Sequence, residues 1–447
     1  MKQKIICMAI AGFMPFVSYA QDNEEWTLEK CIDYALEKNI QLQQDRISFQ
    51  ESEIDVLSAK AALFPSLSFN TGHNVINRPF LENSSTVSGT EIIGSDTKST
   101  YNGNYSLNAQ WTLWNGGKRL NSIKQQKLNR SMAGLTVQET ENMLKEEITK
   151  LFMQILYADE SVEINRKTLE VSQATYHRAE ELFKEGSISK ADLAQLEAQM
   201  ANDQYQLTVS ESSLRNYKLQ LKQLLELDGS EEMTLALPQI DEENVLKLLP
   251  EQNEVYQSAL AIRPEIQNSV LNTEFSKLAV ETAKSGYFPT ISLSASTTGN
   301  TNSASRYNWT QQMKYGWNNM IGINLSIPIF DNRQNKSNLQ KAKLQYNSSI
   351  LQQTDKQKEL YSTIETMWLD ALNSQHEYVT ADSKLKSCQT SFDMVSEQFN
   401  LGMKNTVELL TEKNNLLNAQ QQKIQAKYMA VLNRILLDFY AGKDIEL

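Results

Sequence analysis

From Lys118 to Phe183 the chain runs without a proline and with a single glycine, Gly134. At 1.5 Å per residue a helix over this stretch would be about 100 Å long, far more than an ordinary globular domain can hold. Apolar residues recur through it at helical spacing, as at Leu144, Ile148, Leu151, Ile155 and Val162, while Lys, Gln, Asn and Glu fill the other faces. So narrow a stripe on so long a rod has to be buried along its length against neighbouring helices. That pattern alone fits a coiled-coil scaffold as well as anything more specific, and the flanking segments decide.

At the start of the chain, Lys2 and Lys4 precede an apolar run from Ile5 to Val17, and Ser18-Tyr19-Ala20 offers a small-x-small cleavage site before Gln21. Residues 1–20 read as a secretory signal peptide, since the run is too short to span a bilayer. Cys7 lies inside it and the residue directly after the cleavage site is Gln21 and not a cysteine, so no lipid-attachment signal is expected there. Its removal takes two lysines and no acid, moving the formal charge from −11 to −13, a balance that disfavours nucleic acid as a partner. Cys31 and Cys388 remain, far apart in sequence; two free thiols are favoured and a disulfide stays open. His73, His177 and His376 form no ligand-spaced cluster, and there is no phosphate loop, G-x-S-x-G or H-E-x-x-H. No cofactor, metal or enzymatic activity is expected. No apolar run after residue 20 reaches the length of a membrane helix, so a membrane could be crossed only by strands.

The rest of the chain reads as the same order twice, over residues 21–230 and 231–447. An amphipathic helix from Leu28 to about Ala62 ends at Phe64-Pro65. The period then changes from 3.6 to 2, predicting strands at about 66–76 and 103–114 around a polar loop. The rod comes next, turns at Gly186 and returns from Ala191 as a second helix, an antiparallel hairpin over about 118–227. A short acidic connection leads to a second helix, split at Arg263-Pro264, to strands at about 290–299 and 319–330, and to a second hairpin at about 333–440 that turns at Leu401-Gly402. Trp114 and Phe330, Phe183 and Phe399, Gly186 and Gly402, and Leu193 and Leu409 all stand 216 residues apart. Chance gaps would not keep that register, which points to an internal duplication.

Each strand has an apolar and a small-polar face. In an outer-membrane barrel the apolar side meets lipid and the other lines water. The lipid-facing positions would be Leu67 and Phe69, then Tyr105, Leu107, Trp111 and Leu113, then Ile291 and Leu293, and finally Ile323, Leu325 and Ile327. Four strands cannot close a barrel, for which eight is near the minimum, so several chains must pool theirs. Phe64, Trp114, Phe288 and Phe330 at the rod-side strand ends, with Tyr101, Tyr105, Tyr315 and Trp317 at the loop side, suggest two interfacial girdles. A secreted coiled-coil tether is the structural alternative; it would need no strands.

Thr27-Leu28-Glu29-Lys30-Cys31, the steps Phe64-Pro65-Ser66-Leu67-Ser68 and Phe288-Pro289-Thr290-Ile291-Ser292, Ala261-Ile262-Arg263-Pro264-Glu265-Ile266 and Ile327-Pro328-Ile329-Phe330-Asp331-Asn332 resemble the TolC family of outer-membrane efflux channels. So do the turns Gly186…Asp192-Leu193 and Gly402…Glu408-Leu409-Leu410, and the motifs recur in order over essentially the whole mature chain. The resemblance implies a mainly α chain with a membrane β-barrel: a homotrimer in the cell outer membrane, with a 12-strand β-barrel continued by a 12-helix α-barrel in the periplasm of a Gram-negative bacterium. It further implies a passive conduit that receives substrate from a periplasmic adaptor and an inner-membrane pump, in efflux or type I secretion. The adaptor-docking turns would be Glu185, Gly186, Ser187 and Ile188, and Leu401, Gly402, Met403 and Lys404. Asp393 and Glu397 are the candidate entrance acids. Asn115-Gly116-Gly117 follows the family's Gly-Gly step, whereas Asp331-Asn332-Arg333 departs from it.

Overall fold

The computed structural model describes residues 25–80, 84–88, 91–95, 98–228, 233–238 and 240–447; the expected signal peptide lies outside them. The first half begins with α1 (Leu28–Lys38) and α2 (Ile40–Ala61), then β1 (Ser66–Asn77), the short strands β2 (Ser84–Ser88) and β3 (Glu91–Ser95), and β4 (Ser99–Trp114). The long hairpin of α3 (Lys118–Lys184) and α4 (Lys190–Leu224) comes next, and α5 (Glu242–Val245) lies in the connection. The second half holds α6 (Gln252–Ile262), α7 (Pro264–Lys284), β5 (Thr290–Asn302), α8 (Trp309–Tyr315), β6 (Asn318–Ser326) and the hairpin of α9 (Gln334–Asn400) and α10 (Thr406–Tyr440). Both rods have 67 residues and both return helices 35, and every terminus of the first hairpin lies 216 residues from its counterpart in the second.

Three local departures from the sequence reading have simple causes. The first helix is broken at Asn39, whose extended backbone (ψ 128°) ends α1 and whose side chain accepts from the Leu42 N–H (3.1 Å) to cap α2. The fourth strand stops at Ser326 instead of running to residue 330, because Pro328 has no N–H to give a ladder; Ile327 therefore lies beyond the strand. The loops read as polar connections carry the β2–β3 hairpin and α8.

The helices form a row. Beside the sheet it runs α2, α3, α7, α9; toward the hairpin turns it runs α4, α3, α10, α9. The main core lies midway along the rods, where α1 and α6 pack on Ile148, Phe152 and Ile155 of α3, Ile364 of α9 and Val431 and Leu437 of α10. Trp26 bridges to Leu235, so the connection between the halves clasps the start of α1. Cys31 is buried there and Cys388 is half-buried, both as free thiols. Burial pushes the Cys31 thiol up to about 12. None of the described helices is long and apolar enough to cross a membrane.

Candidate functional site

Four of the strands form one antiparallel sheet in the order β1-β4-β5-β6, and β2 and β3 pair separately. Its register sorts the side chains by face. Leu67, Ala109, Ala295 and Ile321 are successive cross-strand partners, as are Phe69, Leu107, Thr297 and Asn319, and Trp111 pairs with Leu293 and that with Ile323. On the opposite face Ser68, Asn108, Ser296 and Met320 form one row, and Ser66, Gln110, Ser294 and Gly322 another. One side is thus largely apolar and the other carries small neutral polar groups. A β-bulge at Thr112–Trp114 places Trp114 opposite Ile291, the position that strict alternation assigns to Leu113. Among the described residues the sheet does not close on itself. Both β1 and β6 present an unpaired edge, and the helices beneath them are equally unfinished: Ile47, Ile54 and Leu57 of α2, and Leu344 and Leu351 of α9, are exposed.

At the junction of strand and rod the backbone enters the left-handed region twice in succession. In the first half Gly116 (φ 66°) and Gly117 (φ 82°) do this without strain; in the second, Asn332 (φ 51°) and Arg333 (φ 68°) adopt the same conformation with side chains attached. A Cβ on Gly116 would stand 2.8 Å from the Ser285 carbonyl oxygen and 2.9 Å from Phe288 Cβ. In the first turn of each rod a side chain ties the corner together: Arg119 donates to the carbonyls of Ala62 (3.0 Å) and Thr112, and Asn335 donates to that of Gly286 (2.8 Å).

At the other end, both turns are Schellman motifs. Gly186 N–H donates to Phe183 O and Ser187 N–H to Leu182 O; Gly402 and Met403 repeat this with Phe399 and Gln398. Capping boxes start both return helices, Ser189 with Asp192 and Asn405 with Glu408. The Ser189 hydroxyl lowers the pKa of Asp192, and Lys404 lowers that of Glu408. The two turns sit side by side over a small core of Ala179, Leu196, Phe399, Leu409 and Leu410, against which Ile188 packs. Glu185, Gly186 and Ser187 are exposed, as are Leu401 (68%), Gly402 and Met403 (71%); Lys404 pairs with Glu408. Asp393 and Glu397 are one turn apart on an exposed face of α9, and Asp393 accepts from Gln389 (2.8 Å).

Two buried charge clusters escape the sequence reading. Arg263, at the α6–α7 break, pairs with Glu146 of α3 (3.1 Å) and Glu265 (2.8 Å), and its guanidinium lies 4.0 Å from the Tyr440 ring centroid. Closer to the turns, Lys413 of α10 contacts Asp203 of α4 and Ser172 of α3, all three buried. Burial holds the Lys413 pKa below the ordinary lysine value, with the Asp203 carboxylate opposing it. Among the described residues no group of His, Cys, Asp and Glu could hold a metal ion.

The open sheet, apolar on one face, is thus carried on helices about twice its length. Residues 31–226 and 255–443 match the profile described as outer membrane efflux protein, and the chain belongs to that family of outer-membrane channels. The outer membrane protein TolC of Salmonella enteritidis is 22% identical over 177 residues, 38% of this chain and 36% of TolC, so the chain aligns with little more than a third of that relative. The pyoverdine export outer membrane protein OpmQ of Pseudomonas aeruginosa is 22% identical over 432 residues, covering 92% of this chain and 85% of its own. The crystal structure of CusC superposes with a TM-score of 0.78 at 18% identity, covering 93% of this chain and 92% of CusC.

Proposed function

We propose that three copies of this chain pool their sheets into a twelve-strand barrel in the outer membrane, continued by a twelve-helix tube across the periplasm. The assembly is a passive duct. The observation that carries this is the pair of unpaired sheet edges at β1 and β6, each above a helix with exposed apolar side chains. Joining the β1/α2 edge of one chain to the β6/α9 edge of the next satisfies both deficits in one operation, and a head-to-tail contact of this kind closes into a ring. In that ring the apolar face meets lipid, and the Ser, Thr and Asn face lines water.

The exposed turns at 185–188 and 401–404 are the docking points for a periplasmic adaptor, which would link the duct to an inner-membrane pump in efflux or type I secretion. The unpaired exposure of Leu401 and Met403 supports this, since a partner helix would cover them. Asp393 and Glu397 form the acidic ring of the entrance; Asp393→Asn should lower cation selectivity in bilayers, and unchanged selectivity and gating removes it from that role.

Cysteine pairs placed along β1 and β6 test the assembly. Oxidation should give a three-chain product on denaturing gels from a preparation that conducts ions in planar bilayers. A water-soluble monomer, or a reconstituted protein without conductance, overturns the proposal.

A further inference from the structure

Between Gly299 and Phe330 the sequence contains no Asp or Glu, while Arg306 and Lys314 are accompanied by Tyr307, Trp309, Tyr315 and Trp317. The other long hairpin loop, between β1 and β4, contains Glu82, Glu91 and Asp96. Only one of the two loops therefore joins exclusively positive charge to large amphipathic rings.

These groups have defined positions. Asn308 and Gln311 form a capping box that starts α8. The Gln312 side chain then clamps the helix to the end of β5, accepting from Asn302 N–H (2.7 Å) and donating to the Asn302 carbonyl (3.1 Å). Met313 lies over Gly299 so closely that a Cβ there would be 2.6 Å from its terminal methyl. Trp309 stands edge-on to Tyr105 at 6.1 Å, and its indole N–H donates to the Tyr105 hydroxyl (3.4 Å). Tyr105 and Gly299 are cross-strand partners on the apolar face, in line with Leu107 and Leu293. Helix α8 thus folds back onto the side of the sheet that meets lipid, at its loop end.

Held there, Trp309 (56% exposed), Tyr315 (66%) and Trp317 (55%) remain uncovered, with Arg306 and Lys314 exposed among them. Indole and phenol rings are most stable at the boundary of hydrocarbon and headgroups, and cations beside them attract anionic headgroups. We propose that the 303–317 loop is an outer-leaflet anchor, its rings seated at the headgroup level and Arg306 and Lys314 binding the phosphates of the phosphorylated glycolipid of that leaflet. This rests on the reading of the apolar face as lipid-facing. Lipid is the occupant because α8 is continuous with that face and because the loop carries charge of one sign only.

Two measurements on the full-length protein test it. Purified protein is titrated with lipid A and bound lipid counted by native mass spectrometry; Arg306→Ala/Lys314→Ala should raise the concentration for half-occupancy about 30-fold and leave binding of zwitterionic phospholipid unchanged. Spin labels at Gln311 and, separately, Ile323 in a Cys388→Ser background then report depth in bilayers, with Ile323 expected in hydrocarbon and Gln311 at the headgroups. If Ile323 is in hydrocarbon but Gln311 is as open to aqueous reagents as bulk-exposed loop sites, or the double variant binds lipid A like the parent, the anchor is overturned and the barrel reading stands. If Ile323 is in water, both fall.

Discussion

The Lys413–Asp203 pair offers the sharpest energetic test, because both side chains are almost wholly removed from water, with exposures of 8% and 1%. Truncating one partner strands the other as a buried charge and costs roughly 3–5 kcal/mol. The double replacement Asp203→Leu/Lys413→Met removes both charges and puts apolar side chains of similar shape in their place, and should be neutral or stabilising by about 1–4 kcal/mol. For a chain of 447 residues the melting entropy is about 0.9 kcal/mol per kelvin. Asp203→Leu and Lys413→Met should therefore each lower the melting temperature by about 3–5 °C, and the double variant should return to or above the parent. Differential scanning fluorimetry in one detergent at pH 7 reads all four corners of the cycle. Single variants within a degree of the parent, or a double variant that melts lower than either single, would refute the assignment of this pair as a coupled buried charge.

Arg333→Gly and Asn332→Gly should each stabilise by about 1 kcal/mol, or about 1 °C, by relieving a left-handed backbone. Gly116→Ala should destabilise by at least about 2 kcal/mol, from both the backbone conformation and the crowding against Ser285 and Phe288; melting curves that rank these the other way would contradict the corner geometry. Asp192 and Glu408 have lowered pKa values, so their capping contribution is fully present above the ordinary carboxylate range near 4 and is lost as the pH falls through their folded values. Hydrogen exchange at 186–192 and 402–408, corrected for intrinsic rate, should therefore accelerate from pH 6 to pH 3, whereas protection independent of pH would exclude a capping role. Cys31, with its thiol raised to about 12 and buried, should resist maleimide at pH 8 in the folded protein while Cys388 reacts; labelling of both at equal rates would show that the α1 core opens.

The features legible in the sequence are those that local chemistry dictates. The 216-residue register is legible because Gly186 and Gly402 are needed for φ alone, a Cβ on either meeting nothing within 4 Å, and because capping residues stand at the same distance beyond each. The break at Asn39 has neither proline nor glycine to mark it; its only sign is an Asn able to cap the next helix. Alternation continues through Ile327 and Ile329, and only the missing N–H of Pro328 tells that the ladder has ended. Helix α8 has fewer than two full turns, too short to impose a period. The buried charges look like surface residues one at a time. Their signal is positional: Lys413 falls in the stripe of Leu409 and Leu416, and Asp203 in that of Leu196 and Leu207, where a solvated charge has no place. The open edges of the sheet, by contrast, come from strand count alone.

The equal length of the two rods constrains how such a chain can change. Deleting one residue from α3 alone would withdraw its turn by 1.5 Å and rotate everything beyond it by 100° about the helix axis, pulling Ala179 and Ile188 out of register with Phe399 and Leu409. Insertions and deletions are therefore tolerable when they come in multiples close to whole turns and are matched in both rods and both return helices. Homologous chains with longer or shorter tubes should differ by the same number of residues in both halves.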